Sequence, residues 1–308
     1  MKPLTWNRPL LWLAAGMALL AVISIVSSLI DHREVGGMNL WIKPLKFALS
    51  IGIYAVSLAW LLELLGRPRF ARVVSIVSVV GLMAEVVIIV GAAAFGLTSH
   101  FNVSTPLHTA LWAVMAFSIV VVWMVALVVA VVLFRVDLGD PARSLAIRAG
   151  AIIAVIGMGL AFLMTSPTAQ QLSSFEGIAG AHAVGVADGG PGLPLLGWST
   201  VAGDLRIPHF VGMHALQVLP LLIVAIELLA RRFTRLRDPR VRLHLVLIAV
   251  ITYAATIAVL TWQALSAQSI VRPEGGVLVV GLALGAAAIV ATLVVVTRRN
   301  GVEPLPRT

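Results

Sequence analysis

The chain has 308 residues, of which 60% are hydrophobic and only 11% charged, with a mean hydropathy of +1.04 and a net charge of +9. So little charge excludes an ordinary water-soluble domain, in which about a quarter of residues are charged. The lack of any Cys excludes disulfides, thiolate metal ligands, Cys nucleophiles and covalent c-type haem. The cations lie in short segments between apolar runs rather than on one soluble face, which argues against nucleic-acid binding.

Taken in order, eight runs approach or exceed the roughly 20 apolar residues that a bilayer core requires: 9–30, 42–65, 71–96, 107–134, 145–166, 209–230, 243–266 and 276–297. Backbone groups in hydrocarbon must be bonded within their own segment, so these are expected to be helices. The fold class is all-α, a single polytopic membrane domain over residues 1–308. The first run follows Lys2 and Arg8. It is longer than the apolar core of about 7–15 residues found in a signal peptide, and it lacks a clear cleavage site, so it reads as a retained span.

Charge sets the expected orientation. The two ends and alternate connections carry Lys2, Arg8, Arg67, Arg69, Arg72, Arg135, Arg143, Arg148, Arg231, Arg232, Arg235, Arg237, Arg240, Arg242, Arg298, Arg299 and Arg307. The other connections carry only Arg33, Arg206 and Arg272. Cations collect on the cytoplasmic side, so both termini are predicted to be cytoplasmic in a plasma or inner membrane. The lipid bilayer is the expected surrounding.

The cytoplasmic connections are too short to house a soluble domain. The one long connection, residues 167–208, falls outside. Its turn-rich Asp188-Gly189-Gly190-Pro191-Gly192 run and its apolar Leu195, Leu196 and Trp198 predict a folded cap lying on the membrane face. Gly281 and Gly285 in the last span are spaced for close helix packing, which is more simply intrachain than a dimer contact.

The polar residues gather toward the cap. Lys43 and Lys46 open the second span, as interfacial anchors or as an anion site. Glu85 lies about 11 residues in from the outer end of the third, roughly 16 Å deep at ~1.5 Å per residue. A carboxyl at that depth is either protonated or paired, and Lys43 and Lys46 are available partners. Five of the seven His residues (His100, His108, His182, His209 and His214) fall on or just below this face. His214 and Gln217 share a helix face, and Pro220 continues it and frees a carbonyl near residue 216. His209 and His214 are five residues apart and cannot chelate one ion as an i, i+4 pair would.

Two functional readings follow. In the first, His100, His108, His209 and His214 supply imidazoles to haem b or copper, neither of which requires Cys. In that case Lys43, Lys46, Arg206 and Gln217 bind the cofactor or its polar groups, and Glu85 and His214 carry the chemistry. In the second, the protein is a proton-coupled transporter or small-anion binder: Lys43, Lys46 and Arg206 attract the solute, and Glu85 and His214 relay protons. A scaffold subunit without chemistry is a third reading, but it leaves Glu85 unexplained.

Overall fold

In the computed structural model, residues 7–298 are described; Lys2, Arg299 and Arg307 of the charge pattern lie outside the described residues. The chain forms α1 (Arg8–Ile30), α2 (Ile42–Leu65), α3 (Pro68–Phe95), α4 (Pro106–Leu133), α5 (Pro141–Gly159), the short α6 (Ala169–Ser173), α7 (Arg206–Met213), α8 (Ala215–Leu229), α9 (Pro239–Leu265) and α10 (Gly275–Thr297). Among the described residues, seven helices are long and apolar enough to cross a membrane, or eight if α7 and α8, bent by 43° at their junction, count as one span.

Local chemistry sets the helix ends. Thr105, Asp140 and Asp238 each accept an N–H of the first helical turn, and each is followed by Pro, which supplies a preset φ where its missing N–H is not needed. At the other ends Gly66 and Gly96 adopt the left-handed conformation that closes α2 and α3.

The helices pack antiparallel in sequence order for the first half: α1 on α2, α2 on α3, α3 on α4. Their buried Leu, Ile, Val and Ala form one continuous core that reaches Ile147, Ala151 and Ala154 of α5. A second core joins α5 to α8 and α9, and α10 packs on α9. Large apolar side chains such as Phe95, Phe117 and Leu282 point outward, more than 60% exposed. That would be unfavourable in water but suits acyl chains. A wide apolar groove of about 690 Å³ between α1 and α3, lined by Trp12, Met17, Met83 and Val87, belongs to this lipid-facing surface.

Two small residues govern the middle of the bundle. A Cβ on Gly157 of α5 would lie 2.3 Å from the backbone carbon of Gly212 in α7, and one on Gly150 would lie 2.8 Å from the Ala215 carbonyl. The backbones of α5 and α7 touch here, as no larger residue would permit. Pro220 lies inside α8, and the chain bends at His214, beside the Gly157–Gly212 contact.

The long connection folds together with its neighbours into a cap. Connections 31–41, 96–105, 165–205 and 266–274 meet at one end of the bundle: Asn102 bridges Ile178, Gly37 abuts Gly189, and Gly203 and Gly185 lie on Ala264 and Ala267. Within it, Ala183–Val184 (β3) pairs antiparallel with Gly203–Asp204 (β4), and Gln171 holds both the N–H and the carbonyl of Gly180. The Arg-rich connections gather at the other end, where Arg143 pairs with Glu227 and Arg242 with Asp140.

Candidate functional site

Three elements bring ionisable groups together beneath the cap. The first turns of α2 carry Lys43 and Lys46, α3 carries Glu85, and the loop after α3 carries His100. Glu85 is 3% exposed. Its Oε1 lies 3.3 Å from Nε2 of His100, and its Oε2 has no hydrogen-bond partner. Lys43 is within electrostatic reach of Glu85, Lys46, Arg206 and Asp188. It does not come within 4 Å of any of these carboxylates. The expected pairing is therefore redirected: His100 is the nearest partner of Glu85, and Lys43 acts on it from farther away.

His100 is walled in by rings. Phe47, Trp112 and Phe101 stand 5.5, 5.5 and 6.0 Å from it, centre to centre. Burial, reinforced by the positive charge of Lys43 and by His182, holds its basicity well below the usual histidine range, so it is neutral at pH 7. Ser99 Oγ lies 3.1 Å from its Nδ1. The neutral tautomer that satisfies both contacts accepts from Ser99 and donates from Nε2 toward Glu85.

The cap closes over this centre through two carboxylates. Burial opposes ionisation of Asp188, but His182 Nδ1–H at 2.6 Å and the backbone N–H groups of His182 and Ala183 hold it down to about 2. Burial likewise lowers His182, more than Asp188 raises it. Asp204, 1% exposed, accepts from the Ser199 N–H and from Nε and Nη2 of Arg206, and Nη2 also donates to the Gly197 carbonyl. Arg206 is thus largely engaged in bracing the cap. Lys46 donates only to the Leu196 carbonyl, at 3.0 Å. Two ammonium groups with unused donors therefore lie close beneath the cap.

The remaining sequence candidates lie elsewhere. His108 sits in the first turn of α4, 3.0 Å from Ser104 Oγ. His209 donates to the Gly157 carbonyl at 2.8 Å. His214 packs on Phe210 and donates to Gln217 Oε1, and Gln217 in turn donates to Ser57 Oγ of α2. His214 and Gln217 thus face the bundle interior, as their spacing predicts, but they form a separate polar contact. Among the described residues no group of three or more His, Asp or Glu side chains is placed to hold a metal ion. The four imidazoles expected to share a metal each meet a different partner.

Asp188, Phe47, Phe101, Trp112 and Ser99 were not singled out from the sequence as site residues. Phe47 and Trp112 gain their role only by reaching His100 from other helices, whereas Ser99 and Phe101 flank His100 in the chain and Asp188 meets His182 six residues away. Comparison of the chain with family models, with curated proteins and with solved structures finds no match.

Proposed function

We propose that this multi-pass membrane protein binds a small anion beneath an extracytoplasmic cap, and that Glu85 couples binding to proton uptake. The observation that carries this reading is the pair of ammonium groups, Lys43 and Lys46, which lie beneath the cap with no carboxylate within 4 Å and with donors left over. In a site of low dielectric, unneutralised cations attract an anion strongly. An anion placed there adds negative charge beside Glu85, so its binding and the protonation of Glu85 favour one another, and by linkage the effect is mutual. His100 orients the carboxyl, and Arg206, held by Asp204, adds positive potential at the edge. The Arg-rich end and both termini are cytoplasmic on this reading, which follows the distribution of cations. Anion binding is favoured over redox chemistry at haem b or copper because the imidazoles are dispersed, whereas the cations are gathered.

The test is saturable binding of chloride, acetate or phosphate to the purified protein, followed by tryptophan fluorescence, since Trp41 and Trp112 flank the site. Wild type should saturate, and Lys43→Ala and Lys46→Ala should each weaken binding by about tenfold or more. A wild-type protein that responds to none of the three, or variants that bind as tightly as wild type, would overturn the proposal.

A further inference from the structure

Below Glu85 the contact of α2, α3 and α4 is apolar except for one file of oxygen atoms. On α3, Glu85, Gly81, Ser78 and Ser75 recur at helical spacing, and all are buried. Ser78 and Ser75 are each 0% exposed. Tyr54 of α2 neighbours Ser78 across the contact, yet neither hydroxyl makes a hydrogen bond of normal geometry. Ser75 Oγ donates to the Arg72 carbonyl, within two turns of the Arg-rich end of α3. At the Gly81 level the Ser118 carbonyl and the Val122 side chain of α4 pack closely against α3.

An unpaired hydroxyl costs several kcal/mol in a membrane interior, and Leu82, Val86 and Val74 beside this file show that apolar residues pack here without difficulty. Two neighbouring hydroxyls without good partners (Tyr54 OH and Ser78 Oγ), on the same file as an unpartnered carboxyl oxygen (Glu85 Oε2), are what a proton path uses. Each hydroxyl accepts a proton on one side and gives up its own on the other, so no net charge stays on it. Glu85 and Ser78 are seven residues apart, about 10 Å along the helix, a gap that a few water molecules would have to bridge.

We infer that Glu85 exchanges protons with the Arg-rich end of the bundle through Ser78, Tyr54 and Ser75, with Val122 as the narrowest point. This deepens the proton-coupling reading above and rests on its assignment of Glu85 as the proton carrier. With Lys43, His100 and the cap on its other side, Glu85 would then meet protons from one end and the anion from the other.

The full chain is reconstituted in vesicles enclosing a pH-sensitive dye, and a potassium gradient with valinomycin drives protons inward. Wild type should acidify the lumen faster than protein-free vesicles. Tyr54→Phe, Ser78→Ala and Glu85→Gln should each slow this by about tenfold, and Val122→Ala should accelerate it. Wild-type rates in Tyr54→Phe and Ser78→Ala, no acceleration in Val122→Ala, or wild-type vesicles no faster than empty ones would each overturn the path. Chloride titration in detergent separates the two proposals. Tyr54→Phe should bind as wild type does, so loss of proton flux with binding retained supports the path. Unchanged flux with binding retained removes the path and leaves the anion site. Proton flux along this file in a protein that binds no anion removes the anion site and leaves the path.

Discussion

His100 Nε2 stands 3.3 Å from Oε1 of Glu85, joining a loop to the middle of α3 and giving the buried carboxyl its one close partner. Removing the imidazole leaves both carboxyl oxygens without a partner. His100→Ala should therefore destabilise the protein by about 1–3 kcal/mol. Glu85→Gln should relieve part of that penalty, giving a coupling of roughly 1 kcal/mol in a double-mutant cycle of thermal unfolding in detergent. Strict additivity would show that the two residues do not interact.

The cap should loosen in acid in two stages. His100 and His182 have folded values below the ordinary histidine value of about 6.5. The unfolded chain therefore binds more protons, and the stability they contribute is present above ~6.5 and falls away below it. His100 faces Glu85 and Lys43 as well as His182, so its protonation would place a second cation beside Lys43. Asp188 acts in a lower window: held at about 2 against an unfolded value of ~3.9, it stabilises above ~3.9 and ceases to do so as the pH falls through about 2. Amide-exchange protection in residues 165–205, corrected for the intrinsic pH dependence of exchange, should be highest near neutrality and lower by pH ~5. His100→Asn should flatten the first stage, and Asp188→Asn the second.

Gly157 and Gly212 leave no room for a Cβ. Gly157→Ala should destabilise the protein by about 3 kcal/mol, the upper range for overpacking, and should disturb the His209 bond to the Gly157 carbonyl. Gly16→Ala, in the interior of α1 with nothing within 4 Å, should instead raise stability by up to about 1 kcal/mol through helix propensity. Thermal unfolding of the two variants side by side checks the contrast, and equal shifts would contradict it.

The absence of Cys makes the orientation directly testable. In intact cells a membrane-impermeant maleimide should label Gly190→Cys in the cap and spare Asp137→Cys in the Arg-rich connection, which should react only after permeabilisation. The reverse pattern would turn the molecule over.

Much of this molecule could be read along the chain. Most apolar runs coincide with single helices to within a few residues, because hydropathy acts over one helix at a time, but 209–230 divides into α7 and α8 and α5 ends at Gly159, short of 166. The alternation of Arg-rich and Arg-poor connections recurs as the two ends of the bundle. Glu85 stood out because a carboxyl within an apolar run is a local anomaly.

What only the tertiary structure decided was which helices lie side by side. That choice depends on the fit of surfaces far apart in sequence, and residue type does not encode it locally. It pairs Glu85 with His100 before Lys43, sends His209 to the Gly157 carbonyl and Gln217 to Ser57, and puts the bend between α7 and α8 at His214. Histidines that share a depth in the membrane need not share a neighbour, because one depth is a ring of helices and each imidazole faces only what its own helix packs against.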